Sequence, residues 1–206
     1  MKMAFFGGRP VMSIRGIVSS IFGTSPPPAL SVTKARLLRL VPAAKPDILE
    51  GIAEGFDRLA SEHGVDTRQR LCHFLAQAAH ETDGFRTLEE YGGARYYLRY
   101  EGRQDLGNVQ AGDGVRYHGR GIFQLTGRAN YRRFGRILGI DLEALPERAA
   151  EPALSLAVAF AYWSERAINA AADADDVAAV TRLVNGGRNG LAERAAYLQA
   201  AKAIWP

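Results

Sequence analysis

The feature that most constrains this chain is a break in rhythm. From Ser31 onward apolar residues recur with the 3.6-residue period of helices, and between Phe85 and Leu125 that period vanishes and eight glycines with several Tyr and Arg take its place. A structureless stretch of that length inside a compact domain belongs to function more often than to connection. The expectation is an all-α domain with one glycine-rich irregular insertion that carries the site, and a short hairpin around "RYHGRGIFQLTG".

The helical segments on either side have readable ends. "SVTKARLLRLVP" opens on a capping-type Ser31 and stops at Pro42, and "PDILEGIAEGFDRLASEHG" puts Ile48, Ile52, Phe56 and Leu59 on one face and terminates at Gly64. Asp66 or Thr67 caps "RQRLCHFLAQAAHE", whose buried stripe reads Leu71, Phe74, Leu75, Ala78 and Ala79. After the insertion come "GRANYRRFGRILG", a long helix "EPALSLAVAFAYWSERAINAAA" with Pro152 in its first turn, "DADDVAAVTRLVNGG" and "LAERAAYLQAAKAIW". Residues 1–30 read differently. Arg9, Pro10 and Arg15 interrupt their apolar runs, so they lack the ~20 continuous apolar residues of a membrane span. "GIVSSIFG" is a poor secretion signal. The stretch is read as a mobile leader ending in the Pro26–Pro28 spacer, with a weak amphipathic surface anchor as the alternative, and residues 31–206 as the domain.

Lysine and arginine outnumber acids 26 to 22, and the resulting charge of +4 favours anionic polymers, nucleic acid and bacterial cell wall among them. The basic residues are scattered and match no nucleic-acid-reading motif, so no nucleic-acid partner is expected. The single cysteine, Cys72, sits among apolar neighbours and reads as a buried structural thiol. His80-Glu81 invites a zinc-protease reading, but position 84 is glycine where that motif needs its second histidine. His63, His73 and His118 show no ligand spacing, and "GVRYHGRG" and "NGGRNG" lack the ending of a phosphate loop. Neither a metal nor a cofactor is implied.

What remains is a cluster of acids: Glu81 at a helix end, then Glu89 and Glu90 beyond Gly84. Cleaving a glycosidic bond takes one carboxyl that donates a proton to the leaving oxygen and a second carboxylate that activates water or attacks the sugar. The carbonyl end of a helix and the apolar Ala78, Ala79 and Phe85 favour a Glu81 that keeps its proton. Either Glu89 or Glu90 could be the partner, and solvated loop charges are the bland alternative for two of the three.

"AHETDGF" (79–85), "YHGRGIFQLTGRANY" (117–131) and "VNGG" (184–187), in that order, resemble the family 19 glycoside hydrolases, the chitinase and phage-endolysin group with a lysozyme-like helical fold. The resemblance implies Glu81 as general acid, Glu90 as the base of an inverting mechanism, selected over Glu89 by its nine-residue offset, and Thr126 as the hydroxyl that holds the attacking water. It also implies sugar contacts from Tyr117, Gln124, Asn130 and Asn185, and support from His80, Arg120 and Arg194, the last paired with the catalytic base. Bland alternatives stand beside these: Tyr117 as packing, Asn185 as a helix C-cap, Arg120 as an anchor for a carboxylate.

Plant members carry several disulfides and extra loops, whereas this chain has one cysteine and resembles the bacterial and phage branch. The expected function is a muralytic glycosidase cutting β-1,4 bonds of peptidoglycan strands, with chitin as the alternative substrate and a non-catalytic glycan-binding domain as the alternative of another class. A monomer without stable membrane insertion is expected, held in the cytoplasm until released to the wall.

Overall fold

The computed structural model describes residues 29–206. The stretch read as a leader or surface anchor lies, but for its last two residues, outside the described residues. Ten α-helices are described: α1 (Lys34–Leu40), α2 (Pro46–Glu62), α3 (Arg68–Glu81), α4 (Ala94–Tyr97), α5 (Asp113–Arg116), α6 (Arg128–Leu138), α7 (Pro152–Glu165), α8 (Asn169–Asp173), α9 (Val177–Asn185) and α10 (Leu191–Ile204). The only β pairing among the described residues is two isolated bridges, so the chain is all-α with an irregular insertion.

Helix α3 is the axis of the molecule. The sequence pattern marks one apolar stripe, yet all nine residues from Leu71 to Ala79 are buried, Cys72, His73 and Gln77 included. Small residues at 76, 78 and 79 let neighbours approach from every side, and α10 lies along it. The buried Cys72 thiol is pushed up to about 11 by desolvation, as suits an inert structural cysteine. Around α3, Phe56 of α2 and Phe160 and Trp163 of α7 form an aromatic stack on Phe74, with Phe74 and Phe160 parallel at 4.3 Å. A second, smaller core gathers Tyr117, Leu125, Tyr131, Phe134, Leu154 and Val158 between the end of the insertion, α6 and the outer face of α7.

Two local expectations change and one is resolved. Thr33 rather than Ser31 caps α1, accepting from the Arg36 amide, while Ser31 donates to Asp57 at 2.6 Å. Of the two candidates for α3, Thr67 is the cap. The long helix expected from Glu151 to Ala172 breaks after Glu165. Ala167 turns to φ +50°, and Asn169 accepts from the Trp163 indole at 2.7 Å while donating to the carbonyls of His63 and Gly64. Long-range hydrogen bonds to the α2 end override an uninterrupted helical pattern.

The insertion runs from Thr82 to Gly127 with short helical turns and a minimal β element instead of a hairpin. Arg120 and Leu125 exchange backbone hydrogen bonds of 3.2 and 2.7 Å across a four-residue turn. On its other side this turn meets residues 88–90: the Glu90 amide donates to the Gly119 carbonyl at 2.9 Å, and the Gly121 amide to the Leu88 carbonyl at 2.7 Å. That pairing ties the acidic segment to the turn bearing Gln124 and Thr126.

Candidate active site

Two cavities meet at Glu81, Gln124 and Thr126, one of about 670 Å³ and one of about 400 Å³. Together they form a cleft. Glu81, Glu89, Glu90 and His80 line the smaller part, and Asn130 and Asn185 the larger.

Glu81 is the last residue of α3, with its side chain 17% exposed. Arg194 of α10, fully buried, donates to its carboxylate at 2.5 Å and to Gln77 at 2.5 Å, and its Nε donates to the Asn189 carbonyl at 3.1 Å. Arg194 therefore pairs with the carboxyl read as the acid, not with the one read as the base. His80 stands beside it, its Nδ1 2.8 Å from Glu193, and its ring sits close against Gly190, where a Cβ would fall 2.1 Å from the imidazole. At φ +69°, Gly190 can start α10 there and no larger residue can.

Glu90 is held differently, entirely by the insertion. Its side chain is 16% exposed; Tyr100 donates to it at 2.8 Å, the Gly119 amide at 3.1 Å, and Arg99 forms an ion pair with it. Tyr97 donates to its backbone carbonyl at 2.6 Å. Arg99 is stacked on Tyr96 and Tyr100, 3.7 and 4.6 Å from the ring centres. Three donors thus fix the direction of the carboxylate. Gly119 must be glycine for the contact, because a Cβ would lie 2.6 Å from the Gln124 amide oxygen and 3.2 Å from the Glu90 carboxylate.

The neighbouring Glu89 has a side chain 55% exposed, and Arg120 and His118 donate to it at 3.0 and 3.2 Å. Burial raises its pKa, but the hydrogen bonds from Arg120 and His118 outweigh it and the net shift is downward. Arg120 does anchor a carboxylate, and the carboxylate is Glu89. Its other donors reach the Arg116 carbonyl and the Tyr131 hydroxyl, so it clamps the turn that supports Glu90.

Thr126 donates to the Gln124 carbonyl at 2.8 Å and lines both cavities, as does Gln124, held at φ +48° with its amide donating to Gly121. A non-glycine residue in the left-handed region at the middle of a cleft is stored strain of the kind that accompanies sites. Asn130 donates to the Thr126 carbonyl at 2.8 Å. Asn185 ends α9 and spends its amide on the 185–189 loop, accepting from Gly187 and donating to Asn189, while facing the larger cavity. Tyr117 is not in the cleft. It is 1% exposed in the second core, its hydroxyl donating to the Glu143 carbonyl, so its packing role is the one its surroundings support. Sequence reasoning missed Tyr97, Arg99, Tyr100 and Gly119; the Arg/Tyr run "RYYLRY" was the available signal, without a spacing that says which of them reaches an acid.

The family model described as "Chitinase class I", that of glycoside hydrolase family 19, matches residues 47–187. The chain belongs to glycoside hydrolase family 19. A "Glycosyl hydrolase family 19 domain-containing protein" of Haemophilus influenzae is 32% identical over 177 residues, covering 72% of this chain and 86% of that protein. "Endochitinase EP3" of Arabidopsis thaliana is 35% identical over 103 residues, covering 49% of this chain, which spans only 36% of the plant protein's length. Chitinase C from Streptomyces griseus superimposes with a TM-score of 0.68 at 23% identity, over 85% of this chain and 77% of its own, and so shares the fold. As a family 19 member the protein is a glycosidase, and its lysozyme-like helical architecture is that of the family.

Proposed function

We propose that this family 19 glycosidase hydrolyses β-1,4 bonds of peptidoglycan glycan strands by an inverting mechanism. Glu81 is the general acid, Glu90 the base that activates water, and Thr126 the hydroxyl that holds that water. The observation that carries the reading is that two half-buried carboxyls from separate elements line one cleft with Thr126. Glu90 is oriented by three donors but covalently uncommitted, as a base poised over a water must be. Arg194 orients the Glu81 carboxyl. Peptidoglycan is favoured by the net charge of +4 on a chain that spans most of a bacterial relative.

Chitin is the second reading, favoured by the name of the plant relative, an endochitinase. On either substrate the protein works as a monomer without membrane insertion, kept in the cytoplasm until released to the wall. No described helix is long and apolar enough to cross a membrane. Parallel digestion of purified peptidoglycan and colloidal chitin, with mass spectrometry of the reducing ends, separates the substrates. Proton NMR of fresh digests tests the mechanism: the α-anomer appears first from a β-linked oligomer if Glu90 activates water, and the β-anomer first would overturn that role.

A further inference from the structure

The cleft is electrically two-sided. Beyond the central Glu81, the smaller cavity adds Asp83, Glu89 and Glu90, each ion-paired to an arginine (Arg86, Arg120 and Arg99) that does not itself line the cavity, together with the exposed rings of Tyr91 and Tyr96. The larger cavity instead carries two arginines, Arg133 and Arg166, and one acid, Glu165, on its wall. Arg133 is already answered by Glu165 at 2.9 Å, with side chains 58% and 28% exposed. Arg166 has no acidic partner among the described residues. Its guanidinium lies over the Tyr162 ring, 4.3 Å from the centre, and one nitrogen donates to the Leu183 carbonyl at 3.2 Å. Tyr162 is itself pinned by its hydroxyl to the Val184 carbonyl at 2.6 Å. An arginine fixed by its flat face and a single donor keeps most of its planar fork for a ligand, and that fork matches a carboxylate.

We propose that Arg166, seconded by Arg133, recognises a carboxylate carried on the 3-O-lactyl branch of N-acetylmuramic acid, so that the acidic sugar sits on the arginine side of Glu81 and the neutral N-acetylglucosamine on the tyrosine side. This rests on the peptidoglycan reading above. Sliding the strand by one sugar would press the same carboxylate against Asp83, Glu89 and Glu90 and leave Arg166 without it. Only one of the two alternating β-1,4 bonds is therefore placed over Glu81. The carboxylate is the lactyl acid itself in strands stripped of peptide, or an acid of the stem peptide in intact ones.

The test uses binding in a Glu81→Gln background, measured by calorimetry with three probes: a stripped N-acetylglucosamine–N-acetylmuramic acid tetrasaccharide, the same tetrasaccharide bearing its stems, and chitotetraose. Adding Arg166→Gln lowers the affinity for a carboxylate-bearing tetrasaccharide relative to chitotetraose by about tenfold. Arg133→Gln lowers it less, and Arg166→Lys restores part of it. Loss with the stripped sugar names the lactyl acid as the source, and loss with the stemmed sugar alone names the peptide. An unchanged ratio, or an equal loss on chitotetraose, overturns the proposal, as do reducing ends of both sugar types in a wild-type digest of strands. If strands stay uncut yet bind in an Arg166-dependent manner, the peptidoglycan function fails and this recognition stands; if they are cut and binding ignores Arg166, the reverse holds.

Discussion

The helical body and the insertion it carries are held together by different forces, and each contributes one of the two carboxyls. Helix α3 buries Leu71, Phe74 and Leu75 along with its small residues, and each large buried side chain contributes about 1.5–3 kcal/mol. The insertion from Thr82 to Gly127 buries few large apolar groups, chiefly Phe85, Leu88, Tyr97, Tyr117, Ile122 and Leu125. It is secured by polar links: Glu101 to the amides of Gly112 and Gly114, Asn108 to Arg128 and Tyr100, and the ion-pair group of Asp113, Arg128, Glu143 and Arg132. Hydrogen bonds of this kind are worth about 1 kcal/mol each, net. Glu81 thus stands on the half held by apolar packing and Glu90 on the half held by polar links, and local opening is expected to be easier in the second.

The largest effects should come from the two carboxyls themselves. Glu81→Gln is expected to lower kcat by about 10²- to 10⁴-fold with glycan binding nearly unchanged and a lower melting temperature, because the buried Arg194 loses its carboxylate partner. A variant keeping more than about a tenth of the rate would remove Glu81 from the acid role. Glu90→Gln should be similarly inactive, whereas Glu89→Gln, an exposed side chain paired to the buried Arg120, should lose less than about tenfold. Were Glu89→Gln the dead variant, the base would have to be moved by one residue.

Gly119→Ala sharpens the contrast, because it strikes the insertion's side of the site without touching the body. The added methyl meets the Gln124 amide oxygen and the Glu90 carboxylate and Cβ rather than backbone. Activity should fall on the order of tenfold to a hundredfold by misplacing the carboxylate, with thermal stability almost intact. A large stability loss with proportionate activity loss would show that Gly119 serves the fold alone.

Arg194→Gln tests the body. It removes a buried cation shared by Glu81, Gln77 and the Asn189 carbonyl, and should cost about 3 kcal/mol in urea unfolding. A loss below about 1 kcal/mol would mean that α10 and α3 hold together without it.

The smallest effect concerns acid. Arg132 and Arg128 outweigh burial and hold the Glu143 carboxyl down to about 2 from 4.5. A group depressed in the folded state stabilises above its unfolded pKa and loses that contribution as pH falls through the folded one. The Tm difference between wild type and Glu143→Gln should therefore be full above pH 4.5 and shrink as pH falls toward 2. Hydrogen exchange should speed up over the same window in the insertion before the body. A constant difference down to pH 2 would dissociate this ion pair from the insertion's stability.

Periodicity, caps and terminators sufficed to lay out the helical frame from sequence, because those signals are local: Thr67 before α3, Gly64 after α2 and Pro152 opening α7 act within one turn. The acids and their order were equally legible, since Glu81 ends a helix whatever packs on it. Other features are invisible to any local pattern. Which cation meets which acid depends on how α10 crosses α3 and how residues 88–90 pair with 119–121, contacts between residues dozens to more than a hundred positions apart. Hence Arg194 falls on Glu81, Arg120 on Glu89, and Tyr117 into a core, while Arg99 reaches Glu90 from within the insertion. The chain by itself determined the helical frame, the positions of the acids and the glycine-rich segment that carries Glu89 and Glu90. Tertiary structure alone decided their pairing, because long side chains take the partners that packing brings within hydrogen-bond reach.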